Sequence, residues 1–298
     1  MPDRTEFVLD ANAYGLPSRE ELVSLRIWDM HYHGLSDGDL DLHTRTMYYV
    51  ERMGIERLFS LDIAGSIRDP LGIKWTKEKK NAIRKFLEQN SDRLVGLIPI
   101  DPSQPAASLR KIEEWLVDGP CVGIKYFGGN PGGVTCSHPD NDAIISLAAD
   151  HDALIYVHTW LQVGGDPRVP DGGNFAGEST PMDLAELASR FPEVSFICGH
   201  SGGNWELGVR AVRPQENIFV EFSGSDPHSG QVDFTVAELG IDRLIWGGHG
   251  PSRSYSTEIS KVLDGELSTA QRRQIFGDNL RRLAGPVFRR KGYSVDPQ

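Results

Sequence analysis

The sequence predicts a (β/α)8 barrel, and three observations support that fold class. Eight short apolar runs are typical of strands buried on both faces, because most of them do not alternate apolar and polar residues. Amphipathic helical patterns lie between these runs, as in parallel sheets built from βα units. Strand starts recur about every 25–40 residues, which leaves room for one crossover helix per strand. A doubly wound sheet is the competing fold, but GLSDGDLD after the first run lacks its glycine-rich phosphate turn.

Each element can be placed along the chain in order. The predicted strands span residues 27–33, 57–65, 94–102, 121–128, 153–160, 194–200, 218–224 and 243–249. Helical spacing of apolar residues predicts helices over 77–90, 106–117 and 141–151. Thr180, Pro181 and Asp183 supply the N-cap, the N1 proline and the first-turn acid of another helix. We expect a barrel over 27–285, an N-terminal extension over 1–26 and a C-terminal tail over 286–298.

Composition excludes several function classes. The net charge of −11 repels phosphate backbones, so nucleic acid is not an expected partner. No apolar run is long enough to cross a bilayer, and no secretory signal is visible at the N-terminus, so a cytoplasmic location is expected. Cys121, Cys136 and Cys198 are odd in number and not closely paired, which favours reduced thiols.

Histidines close four of the predicted strands. His31 and His33 end the first, and His158, His200 and His249 end the fifth, sixth and eighth. These strand ends are where a (β/α)8 barrel carries its active site. Side chains at i and i+2 share one face of a strand, so His31 and His33 deliver two imidazoles to one point, with His158 as the expected third ligand. The pattern predicts one divalent transition metal, with zinc as the first expectation and manganese, nickel or iron as alternatives.

The order of the motifs resembles the amidohydrolase superfamily and, within it, amidohydrolase family 2. The resemblance covers nearly the whole chain and rests on DMHYH, GIKYF, YVHTW and FICGHSGG, with STPMDLAELASRFPEVSF and IFGDNLRRLAG beside them. It implies that His31, His33 and His158 bind the metal. It also implies that His200 faces the substrate or a second metal, where it could polarise a carbonyl.

Lys125 ends the fourth predicted strand, where some members of the resembled superfamily carry a carboxylated lysine that bridges two metals. A buried lysine beside a dication must lose its charge by deprotonation, by carboxylation, or by pairing with an acid such as Asp29 or Glu221. We expect a polar role in the site rather than a bridge, since such relatives commonly manage with one metal.

The eighth strand departs from the resembled family. Members typically carry an aspartate in a G-x-D-x-P setting, whereas this chain places His249 between Gly248 and Gly250. An imidazole has one basic lone pair and cannot both bind a metal and accept a proton from water. His249 is therefore a further ligand, a general base, or the mark of an inactive relative. The ligand role is favoured, because the strand end aims this side chain at the metal.

Four further side chains follow predicted strand ends and are candidates for substrate binding: Arg253, Trp160, Trp205 and His228. Arg253 is the most informative of them, since one cation in a βα loop could hold a substrate carboxylate. Asp62 and Asp101 also end strands, and we expect them to cap loops or helices.

Three functions remain open for this sequence. The first expectation is hydrolysis of a small amide or lactone through a metal-activated water, with His200, His249 and Lys125 as the catalytic side chains. The alternatives are non-oxidative decarboxylation of a small unsaturated or aromatic acid, and a binding barrel inactivated by the change at His249. The expected partner is a small molecule, and the sequence leaves the oligomeric state open, a homo-oligomer included.

Overall fold

The computed structural model describes residues 17–162, 173–224 and 228–296, and it confirms the (β/α)8 barrel. Its eight parallel strands pair in chain order. They are β1 Ile27–Tyr32, β2 Ile55–Ser60, β3 Leu94–Ile100, β4 Gly123–Tyr126, β5 Leu154–His158, β6 Phe196–Gly199, β7 Ile218–Glu221 and β8 Leu244–Ile245. The barrel closes where the backbone N–H groups of Met30 and His33 donate to the carbonyl oxygens of Trp246 and Gly250, at 3.3 and 2.7 Å.

Helices surround the strands. They are α1 Arg19–Ser24, α2 Leu40–Arg52, α3 Lys77–Gln89, α4 Pro105–Ile112, α5 Asp142–Asp150, α6 Pro181–Arg190, α7 Trp205–Val212, α8 Gln231–Leu239, α9 Tyr255–Leu263, α10 Thr269–Arg273 and α11 Asn279–Lys291. The predicted start of α6 is confirmed, because Thr180 and Asp183 form a reciprocal capping box. In the described part of the chain, no helix is both long and apolar enough to span a membrane.

Two apolar layers hold this arrangement together. One lies between the strands and the surrounding helices. The other fills the barrel interior, where Trp28, Phe59 and Tyr156 pack in one cluster with Leu280 and Phe288 of α11. Helix α11 therefore belongs to the packing of the barrel, and it runs across the predicted boundary at residues 285 and 286. The opposite, C-terminal end of the barrel is left for polar side chains.

Candidate metal centre

The five histidines that end predicted strands meet at the C-terminal end of the barrel. The Nε2 atoms of His31 and His33 are 2.8 Å apart, and Nε2 of His200 lies 3.0 Å from Nδ1 of His158. The ring of His249 stacks on that of His31, with their centroids 4.2 Å apart. One nitrogen from each of His31, His200 and His249 can be chosen so that all three lie within 4.8 Å of one another. From the sequence we expected His33 and His158 to be ligands together with His31. In the structure, His33 and His158 lie next to this trio, in contact with His31 and His200 respectively.

The nitrogens of His31 and His33 that point away from the cluster are fixed by acceptors. His33 Nδ1 lies 2.6 Å from an Asp62 carboxylate oxygen. The Tyr156 hydroxyl donates to Glu221 at 2.7 Å, so its oxygen is left to accept from His31 Nδ1 at 2.8 Å. Asp62 therefore orients a histidine rather than only capping a loop. With the ring protons on these outer nitrogens, both Nε2 atoms present lone pairs to each other.

His200 and His158 are fixed in the same manner. His200 Nδ1 must donate to the carbonyl oxygen of Ser223 at 2.7 Å, because a carbonyl can only accept. His158 Nε2 lies 3.0 Å from a carboxylate oxygen of Glu178. The inward nitrogens of this pair therefore also face each other as lone pairs. Such outer hydrogen bonds are what orient metal-binding histidines in proteins.

Burial keeps the imidazoles of His31, His158 and His200 neutral, which is the form that binds metal ions. Burial lowers the pKa of His158 to about 3, and it lowers the pKa of His31 and His200 well below the usual histidine range. Neutral rings with converging lone pairs repel one another unless a cation lies between them. The donor set therefore fits a divalent transition metal, with inward nitrogens from several strands and no carboxylate among the three convergent ligand atoms.

Asp29 ties the two ends of the barrel seam together beneath these rings. One of its carboxylate oxygens accepts from the backbone N–H groups of His31 and Gly248, at 2.8 and 2.6 Å. The strand that carries His31 is thereby joined to the segment that carries His249. The loop after β7 also approaches closely enough to require a glycine, since a Cβ at Gly224 would lie 2.5 Å from a ring carbon of His249. Position 249 is thus held by backbone contacts on both sides.

Lys125 is the penultimate residue of β4 and is 1% exposed, with its Nζ 4.0 Å from the centroid of the Tyr156 ring. Burial lowers the pKa of this lysine to about 7, although the charges of Asp62 and Glu221 act to raise it. Asp62 and Glu221 are therefore the acids whose negative charge favours the protonated form of Lys125. A lysine with this pKa exchanges its proton near neutral pH.

These side chains border a cavity of about 560 Å³, open at the barrel mouth. It is lined by His31, His33, Ser36, Asp37, Asp62, Ser66, Ile67, Arg68, Lys125, Phe127, Gly128, His158, His200 and His249. Besides the histidines, the lining thus offers two basic side chains, Arg68 and Lys125, and one aromatic ring, Phe127. This combination suits an organic anion with an apolar, planar body.

Arg68 was missed by sequence reasoning, and its loop is held by two buried hydrogen bonds and two exposed ones. The Lys111 ammonium donates to the carbonyl oxygens of Pro70 and Pro99, at 2.6 and 2.9 Å. The Asp69 carboxylate accepts two backbone N–H groups of the same loop. Its position could have indicated it, because Arg68 is a basic residue shortly after a predicted strand, as is Arg253, which was chosen as a candidate for that reason.

The predicted substrate contacts fall in different places. The ring centroid of Trp160 lies 5.9 Å from that of His200, beside the cluster. Trp205 instead packs with His228, with centroids 6.0 Å apart. The Arg253 guanidinium donates to the Gly224 carbonyl oxygen at 3.0 Å. Among the residues that the structure describes, the lining of the histidine cavity includes none of the four: Trp160, Trp205, His228 and Arg253.

In sequence, the chain matches one family model and no curated protein. A sequence model of amidohydrolase family 2 matches residues 68–285, a segment that contains His158, His200 and His249. His31 and His33 precede the matched segment.

Several solved structures share the fold. The 2,6-dihydroxybenzoate decarboxylase from Rhizobium is 17% identical, with 87% of this chain and 98% of that chain covered and a TM-score of 0.65. The 5-carboxyvanillate decarboxylase from Sphingomonas paucimobilis is 14% identical, with 88% and 99% covered and a TM-score of 0.64. A dihydroxybenzoic acid decarboxylase from Polaromonas, with bound manganese and the inhibitor 2-nitroresorcinol, is 15% identical, with 87% and 96% covered and a TM-score of 0.65. At these identities the likeness establishes the fold alone.

Proposed function

This chain belongs to amidohydrolase family 2, and we propose that it is a metal-dependent decarboxylase of a small aromatic or unsaturated acid. The observation that carries the proposal is the lining of the histidine cavity, which contains Arg68, Lys125 and Phe127 as well as the five histidines. A carboxylic acid is the simplest substrate that uses two cations and an aromatic surface together. The decarboxylases with the same fold support this choice over hydrolysis.

The inward nitrogens of His31, His33, His158, His200 and His249 are the candidates for holding the metal. When bound, a divalent ion would supply positive charge that draws electron density from the acid group and its neighbours. Zinc remains our first choice because imidazole ligands suit it, and manganese is the alternative present in the Polaromonas structure. Neutral imidazoles leave the positive charge of such an ion to be balanced by the substrate, which again favours an anion.

The side chains of this chain divide the remaining work. Arg68 binds the carboxylate, and Phe127 packs against the planar body of the acid. Loss of carbon dioxide leaves an electron pair on the carbon that carried the carboxylate, so that carbon must receive a proton. Lys125 Nζ is the proposed donor, because its pKa of about 7 lets it give up a proton near neutral pH.

Hydrolysis, the first expectation from the sequence, has weaker support. A metal-activated water needs a proton acceptor, and the family's usual aspartate is replaced by His249. The carboxylates of Asp62, Glu178 and Glu221 are already engaged by the cluster histidines or by Tyr156. His200 has its proton on the side of Ser223, so it offers no N–H to polarise a substrate carbonyl. A ligand role for His200 agrees better with this geometry.

The proposal predicts release of carbon dioxide by the metal-loaded protein from hydroxybenzoic acids that carry an isotopic label in the carboxyl group. Arg68→Ala should raise KM by up to about tenfold, since a hydrogen bond to a charged group contributes about 1.5–3 kcal/mol and solvent screening reduces this for Arg68, which is exposed. Arg45→Ala is the matched control, because Arg45 is exposed on α2 and does not line the histidine cavity. The measurement is steady-state turnover of the labelled acids by each variant.

Two outcomes would count against this assignment. Ring opening of lactones or release of amines, with no labelled carbon dioxide from any acid, would favour the hydrolase. A rise in KM in Arg253→Ala, with Arg68→Ala unchanged, would restore the anchor that the sequence first indicated.

A further inference from the structure

Ser252 makes two hydrogen bonds to His249 that together specify where the imidazole proton lies. Its hydroxyl is 2.9 Å from the carbonyl oxygen of His249 and 2.6 Å from Nδ1 of the same residue. A hydroxyl has one proton, and the carbonyl oxygen can only accept. The Ser252 proton therefore goes to the carbonyl oxygen, and the Ser252 oxygen accepts from an N–H at Nδ1. This leaves the lone pair of His249 on Nε2.

Backbone contacts and ring stacking place the His249 ring against the cluster. The His249 backbone has a φ of 50°, a left-handed conformation that few non-glycine residues adopt. The Arg253 N–H donates to the His249 carbonyl oxygen at 3.1 Å, so the turn after β8 closes on this residue. The ring stacks on His31, and its ligand atom lies within 4.8 Å of those of His31 and His200. Strained conformations of this kind persist where the surrounding structure fixes them.

We propose that Ser252 is a positioning residue that holds His249 in the Nδ1–H form, so that Nε2 is a metal ligand and not a general base. This inference rests on the proposed metal centre and deepens it. The inference gives a role to His249, which replaces the family's usual aspartate. An aspartate at position 249 has no ring N–H that could donate to the Ser252 oxygen. Outer hydrogen bonds to ligand histidines contribute about 10–100-fold to metal affinity in other proteins.

The test measures zinc affinity in the absence of substrate, by competition of the metal-free protein with a chromogenic chelator. Ser252→Ala should bind zinc about tenfold more weakly, since the lost hydrogen bond lets the ring protonate on either nitrogen. Ser252→Thr keeps the hydroxyl and should restore the affinity. Ser254→Ala is the matched control, because Ser254 precedes α9 without a side-chain capping bond.

A second measurement reads the proton position directly. Long-range proton–nitrogen correlation spectra of the metal-free, histidine-labelled protein should show His249 with its proton on Nδ1, assigned by loss of the signals in His249→Gln. Ser252→Ala should show a mixture of both forms, and Ser254→Ala the unmixed form. These spectra also report whether each variant is folded.

Three results would overturn the inference: an Nε2–H form of His249 in the unmodified protein, zinc affinity unchanged in Ser252→Ala, or no zinc binding by the unmodified protein. Neither measurement uses a substrate, so a protein that fails to release carbon dioxide leaves them unaffected. Failure of the proposed decarboxylation and failure of the Ser252 assignment are thereby distinguished.

Discussion

Alanine in place of His31 is expected to abolish metal binding and to lower the decarboxylation rate by about a thousandfold or more. His31 is 1% exposed, and it contacts His33, His200 and His249 at the centre of the cluster. Its removal deletes one of the three nitrogens that converge most closely. A bound metal contributes several kcal/mol of charge stabilisation, and each 1.36 kcal/mol corresponds to about a tenfold change in rate.

The measurement is metal content by mass spectrometry beside carbon dioxide release, for His31→Ala and His33→Ala. The matched control is His151→Ala, since His151 follows α5 away from the cluster. The fold should survive in all variants, because the apolar layers of the barrel do not depend on these rings. Full metal occupancy in both His31→Ala and His33→Ala would refute the ligand assignment.

His249→Asp is expected to keep the metal but to change which metal the site prefers. If His249 is a ligand, the variant replaces a neutral nitrogen by a charged oxygen. Oxygen ligands suit manganese better than imidazoles do, so the affinity for manganese relative to zinc should rise by about tenfold. The second carboxylate oxygen also supplies the proton acceptor that hydrolysis lacks, so hydrolysis of lactones or amides should appear or increase.

Competition titrations with zinc and manganese, with lactone hydrolysis measured in parallel, check this expectation. His249→Asn is the control, because its side chain has the same size as aspartate without the charge. If His249 is instead a free base, metal preference stays the same, and the acidic limb of the rate profile shifts, because a carboxylate with an ordinary pKa of about 4 replaces a histidine whose pKa burial lowers. Unchanged metal preference, pH profile and turnover in both His249→Asp and His249→Ala would mean that position 249 has no chemical role.

The strands could be predicted because each is an apolar run that the barrel buries on both faces. For the eighth strand, the apolar run predicted a longer strand than the structure contains. Residues 243–249 look like one strand, but only Leu244 and Ile245 pair with β7. Beyond them the N–H of Gly248 donates to Asp29, and His249 takes a left-handed conformation. Pairing with β7 stops at Ile245, and the later backbone of this segment instead contacts β1, in part through the Asp29 side chain, which sequence spacing does not reveal.

The histidines could be predicted because the C-terminal strand ends of a barrel converge regardless of the conformation of the loops. Loop residues have no such constraint. Arg253 and Arg68 follow strands in the same way, yet only Arg68 lines the histidine cavity, because Lys111 and Asp69 hold its loop in place. Asp101 caps its own loop as expected, through the N–H of Ser103, whereas Asp62 orients His33. Sequence spacing does not distinguish these cases, since each depends on contacts between residues distant along the chain.

The central claim is that the inward nitrogens of the five histidines hold a divalent metal ion. X-ray diffraction from crystals grown with zinc, recorded on both sides of the zinc absorption edge, tests it most directly. The account predicts an anomalous peak within coordination distance of the inward nitrogens of His31, His200 and His249, together with His33 or His158 or both. A map with no peak between these rings, or with zinc bound only elsewhere on the protein, would contradict it.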